Sequence, residues 1–101
     1  MLACRLRMAA PVSFNAFVVS LATMAAVHFG DVSDPQSGEM RPPDLDAAGR
    51  AIEMLALLEE KTRGNLTGDE ERFIARVLEE LRRRYRSARN GAGPRGFTTD
   101  S

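Results

Sequence analysis

From Ser13 to Phe29 the chain is almost uninterruptedly apolar, with Phe14, Phe17, Val18, Val19, Leu21, Met24, Val27 and Phe29 broken by Asn15, Ser20, Thr23 and His28. A stretch of this kind must be covered by the rest of the fold, by a second chain or by lipid. Its length and the Gly30 that follows predict a helix over 14–29. Ser13 suits the N-cap because its hydroxyl can accept from an orphan amide of the first turn, and Gly30 suits the left-handed position after the last turn. Large side chains (Phe14, Phe17, Leu21, Met24, beside Val18) share one face, while Ala16, Val19, Ala22, Thr23 and Ala26 make the opposite face small enough for close helix approach. Both faces being apolar, the spacing points to self-association through Phe14, Phe17, Leu21, Met24, Ala22 and Ala26. Arg5 and Arg7 ahead of the run suggest a membrane anchor or signal peptide as the alternative. At 1.5 Å per residue, however, the run covers only about 25 Å of a hydrocarbon core of roughly 30 Å.

Size restricts what else the chain can be. A chain of 101 residues has room for one small domain with a marginal core of its own, which a second copy or a partner would relieve. The 14 Lys and Arg balance the 14 Asp and Glu, so net charge does not point to nucleic acid. Cys4 is the single cysteine and can form neither an internal disulfide nor a thiolate metal site by itself. His28 is the single imidazole. No base–nucleophile pair, glycine-rich phosphate loop or ligand cluster stands out, so neither catalysis nor a cofactor or metal is expected.

Two further helices follow. Asp34-Pro35, Gly38 and Pro42-Pro43 mark Asp31 to Pro43 as a connection of turns. Asp44 caps a helix over about 45–63, its wide apolar arc formed by Leu45, Ala48, Ile52, Met54, Leu55 and Leu58, with Gly64 as its stop. Thr67 and Glu70 have capping-box spacing, predicting a third helix over 68–89. Phe73, Ile74, Val77, Leu78, Leu81 and Tyr85 fall in one arc of roughly 140° on that helix. The turn from Arg63 to Thr67 is short enough to force an antiparallel hairpin. The expected fold is all-α: an apolar N-terminal helix docked on a helical hairpin in a single domain over 13–89. Flexible tails are expected over 1–12 and 90–101, and the assembly is expected to be a homo-oligomer.

The run Glu60-Lys61-Thr62-Arg63-Gly64-Asn65-Leu66-Thr67, followed by Leu81-Arg82 and Tyr85, joins Phe14-x-x-Phe17, Ser20-Leu21, His28-Phe29-Gly30 and Asp34-Pro35 in a distinctive order. Over roughly Ser13 to Tyr85 the chain closely resembles the bacterial proteins of domain of unknown function 1844 (DUF1844). The resemblance implies a small helical bacterial protein of the cytoplasm. It assigns no catalytic or binding residue.

Several residues carry further expectations. His28 falls on the large apolar face beside the Gly30 cap, so a packed structural role with one ring nitrogen bonded to a carbonyl or carboxylate is expected. Gly64, Thr67 and Glu70 are likewise structural. Arg82, Arg86 and Arg89 share one face of the third helix and form a candidate surface for a protein partner or nucleic acid. Glu79 and Glu80, ahead of Arg82, Arg83 and Arg84, favour the plainer reading of a solvated, self-paired helix. A helix-turn-helix is excluded, because the third helix opens with Asp69-Glu70-Glu71, which phosphates repel. The expected function is that of a cytoplasmic, oligomerising adaptor without catalysis. Glu53 and Glu60 on helix two, with Leu57 among them, or the basic carboxyl end, would contact its protein partner. An inner-membrane-associated protein anchored by 14–29 and an RNA- or ribosome-associated protein using Arg82, Arg86 and Arg89 are the alternatives.

Overall fold

Ser13, Asp44 and Thr67 each place a side-chain oxygen where the first turn of a helix lacks amide partners, and a helix follows each. The computed structural model of the chain describes residues 12–91. It contains α1 (Phe14–Phe29), α2 (Leu45–Lys61) and α3 (Gly68–Arg89), with no strand among the described residues. The tails expected over 1–12 and 90–101 fall outside the described residues, apart from exposed Val12 and the pair Asn90-Gly91 after α3.

The caps behave as their chemistry dictates. Ser13 Oγ accepts from the Ala16 amide at 3.0 Å, and Asp44 Oδ1 accepts from that of Ala47 at 3.1 Å. Thr67 and Glu70 close a reciprocal box, each side chain accepting from the other's backbone amide at 3.1 and 2.9 Å. Gly30, at φ 81°, donates to the carbonyls of Ala26 and Val27 and ends α1 in the left-handed conformation. Helix α2 stops at Lys61, short of the expected Arg63. The Thr62 hydroxyl donates to the Leu58 carbonyl at 2.7 Å and closes the last turn, and Gly64, at φ 90°, redirects the chain.

The helices run up, down and up. The Asp44 amide donates to the His28 carbonyl at 2.7 Å, which ties the start of α2 to the end of α1. Gly49 lies against the Tyr85 ring, and Glu59 shares a groove with Glu71 and Ile74, so α2 and α3 are antiparallel. All three pairs of helices touch. Val18, Ala25 and Phe29 of α1, Ala48, Ala51, Ile52 and Leu55 of α2, and Ile74 and Leu78 of α3 form the core. Burying each of the larger aliphatic side chains contributes about 1.5–3 kcal/mol, while the buried alanines let α1 and α2 approach closely.

The core face of α1 is rotated from the one its large residues suggest. Phe14, Val18, Leu21, Ala25 and Phe29 line the core, whereas Phe17 and Met24 stay exposed at its edge. Fully buried Ala25 sits midway between Leu21 and Phe29 at 100° per residue, because a helix seated in a trough between two others presents its narrowest residue to the deepest point.

Candidate functional site

At the end of the bundle where α1 stops and α2 begins, the chain leaves α1 through Asp31, and Arg84 of α3 reaches it. Arg84 Nε and Nη2 donate to the two carboxylate oxygens of Asp31 at 2.8 and 2.9 Å. The side chains are only 6% and 9% exposed. The Arg84 guanidinium also stands 5.1 Å over the Phe29 ring, and Phe29 meets Tyr85 edge-on at 6.5 Å. The bond to Asp31 raises the pKa of Arg84, outweighing the opposing effect of burial. This clamp unites residues separated by 53 positions. A signal for half of it exists in the sequence: at 100° per residue Arg84 falls inside the apolar arc of α3, and a charge there requires a partner.

Arg84 therefore leaves the basic run, and Arg83 is occupied too, lying 3.6 Å from Glu79 and 3.5 Å from Glu80. The expected pairing of Glu79 and Glu80 with Arg82 and Arg84 as well does not occur. Arg82, Arg86 and Arg89 are exposed and have no carboxylate within ion-pair distance among the described residues. Arg82, Tyr85 and Arg86 face Gly49, Ile52 and Glu53 across an open groove of about 270 Å³. The Arg89 guanidinium stands 6.0 Å over the Tyr85 ring.

The residues expected to mediate self-association divide among three environments. Phe14 and Leu21 pack on the protein's own core. Ala22 and Ala26 line a shallow cleft with Val19, Thr23, Val32, Ser33 and Pro35, so the chain after α1 borders the small face. Phe17 and Met24 are 45% and 42% exposed, and Met54 and Leu57 of α2 are 45% and 54% exposed. The bond from Asp44 to His28 sets the antiparallel register, and with equal rises Met54 comes level with Val18 and Phe17. Since α3 takes the Phe29 side of α1 and the Gly49–Glu53 side of α2, Phe17, Met24 and Met54 border the outside of the α1/α2 seam. Leu57 lies one step further around α2.

His28 acts differently from expectation. It is half-buried, its carbonyl holds α2, and its ring nitrogens have no hydrogen-bond partner among the described residues. Asn15, polar within the first turn of α1, keeps its side-chain oxygen buried with no donor among the described residues. Gly30, Gly64, Thr67 and Glu70 hold the turns and caps described above. In the connection to α2, Asp34 is the organising group. Its carboxylate accepts from the Gln36 amide at 2.9 Å and from Arg41 Nε at 3.0 Å. Its own amide donates to the Glu39 carbonyl, and its carbonyl accepts from Gly38. The Gln36 amide, followed by Arg41, lowers the pKa of Asp34 below its usual value.

No group of three or more His, Cys, Asp or Glu among the described residues is arranged to hold a metal ion. No helix among them is long and apolar enough to cross a membrane. The family model described as a domain of unknown function, DUF1844, matches residues 11–87. The chain belongs to the DUF1844 family. The match spans all of α1 and α2 and all but the last two residues of α3. The Asp31–Arg84 clamp, the α1/α2 seam, Arg82 and Arg86 are thus parts of the DUF1844 domain itself. No curated protein and no solved structure matches the chain.

Proposed function

We propose that this DUF1844 protein is a non-catalytic, oligomerising interaction module of the bacterial cytoplasm, and that a second copy of the chain covers the α1/α2 seam. The observation that carries this reading is the half-exposed set Phe17, Met24, Met54 and Leu57 on adjoining helix surfaces. Large apolar side chains grouped in this way commonly mark an interface. A second copy suits the surface because a two-fold contact must be complementary to itself. The exposed charges of α2 are Asp46, Arg50, Glu53, Glu60 and Lys61. Two α2 helices crossing antiparallel about an axis between Glu53 and Met54 bring Asp46 of each copy opposite Lys61 of the other. Arg50 then lies over Leu57, where its methylene stem can cover the apolar surface.

Light scattering behind size exclusion, on detergent-free full chain, tests the reading. The expected wild type is a discrete dimer, and Phe17→Asp or Met54→Asp weakens it by at least about tenfold, because each buries a lone carboxylate in the contact. Neither position lies in the core, so helical content measured by circular dichroism should be unchanged. A wild type that stays monomeric at the highest concentration reached overturns the proposal. So does a dimer indifferent to both variants.

A further inference from the structure

The arginines of α3 are sorted by their partners. Arg83 is paired with Glu79 and Glu80, and Arg84 is sealed against Asp31, while Arg82, Arg86 and Arg89 form a row without carboxylates in ion-pair range among the described residues. Along the helix axis the row advances about 6 Å and then about 4.5 Å. Arg82 and Arg86 line the groove between α2 and α3, Arg89 stands over the Tyr85 ring that forms part of it, and Gly49 makes that groove possible. A Cβ there would lie 3.4 Å from the Tyr85 ring, so any longer side chain would occupy the space the glycine leaves between the helices. Glu53 stands in the same groove. A carboxylate among arginines is unfavourable for a bare phosphate site, but it is the acceptor suited to the exocyclic amine of cytosine.

We propose that the Arg82–Arg86–Arg89 row and the Gly49–Glu53–Tyr85 groove bind single-stranded RNA, the arginines holding successive phosphates and the groove taking an unpaired base whose amine Glu53 accepts. Guanidiniums along the backbone and an aromatic wall for a splayed base are the general means of single-strand recognition. A duplex keeps its bases stacked and cannot offer one to a groove between helices. A membrane surface fits less well, because a lipid-binding face interleaves cations with exposed apolar side chains. Here the large exposed apolar side chains of the helices, Phe17, Val19, Met24, Met54 and Leu57, belong to α1 and α2 and not to α3.

Fluorescence anisotropy of the full chain with labelled oligocytidine and oligouridine RNA tests this. The expected result is tighter binding of oligocytidine, by roughly fivefold or more. The slope of log K against log salt should be about −2, from three phosphates at ~0.7 each. Reversing the row (Arg82→Glu, Arg86→Glu, Arg89→Glu) should abolish binding. The charge-matched set at the other end of the hairpin (Arg63→Glu, Arg72→Glu, Arg76→Glu) should retain most of it. Glu53→Gln should erase the preference for cytosine while RNA remains bound. Absence of binding at low salt overturns the proposal, as does equal loss in the two charge-reversal sets or equal affinity for the two RNAs. Anionic phospholipid vesicles that bind the row as tightly as RNA overturn it in favour of a membrane surface. The arginine row lies on α3, outside the α1/α2 seam, but Glu53 borders both that groove and the axis of the α2 contact, so the titrations are repeated on Phe17→Asp. Cytosine preference retained there supports the groove whatever the assembly state, and its absence there overturns the groove and leaves the seam to its own test.

Discussion

A guanidinium withdrawn from water inside a bundle this small is tolerable only when its charge is matched and its geometry filled. Arg84 meets both conditions through the bidentate contact with Asp31 and the ring of Phe29 beneath it. Removing either partner takes the bidentate contact away from a charge that stays buried. Arg84→Ala or Asp31→Ala is therefore expected to lower unfolding free energy by about 3–5 kcal/mol, measured by urea denaturation. Replacing both together (Asp31→Leu with Arg84→Met) should recover much of that loss, since a packed apolar pair needs no charge matching. If the double variant proves as unstable as the sum of the singles, the clamp is not the unit described here.

At the level of the element, each helix is begun by its own side chains. Thr67 and Glu70 satisfy each other's amides, so Thr67→Ala should cost about 0.5–2 kcal/mol in thermal or urea unfolding, with no change in the number of helices. The connection from Asp31 to Pro43 relies on one carboxylate. Because the folded pKa of Asp34 lies below its unfolded value, its contribution is fully present above the unfolded pKa of about 4 and is lost as pH falls through the lower folded value. Stability followed from pH 5 downward should therefore fall as this group protonates. Asp34→Asn, which keeps the oxygen facing Gln36 but not the charge facing Arg41, should fall less steeply over that interval.

For the whole molecule, a three-helix core of mostly small and medium side chains leaves little margin, and association adds stability by mass action. If the α1/α2 seam joins two copies, the thermal midpoint of the wild type should rise with protein concentration. That of Phe17→Asp should not. A concentration-independent midpoint in both would contradict the seam as an interface.

How far the sequence reaches differs from residue to residue, for physical reasons. The caps at Ser13, Asp44 and Thr67, the stop at Gly30 and the hairpin forced by the Arg63–Thr67 turn depend on interactions within a few residues, and spacing alone determined them. So did the apolar stripe of α3, because the amphipathic period leaves one way for that helix to face. The face that α1 turns inward was decided only by tertiary packing. An all-apolar helix has no polar side to orient it, and the trough between α2 and α3 took Ala25 and Phe29 and left Phe17 and Met24 outside. The sorting of the basic run was decided in the same way. Local order offers Glu79 and Glu80 to several arginines alike, and only the approach of Asp31 across 53 positions removed Arg84 from the surface while Arg82, Arg86 and Arg89 stayed exposed.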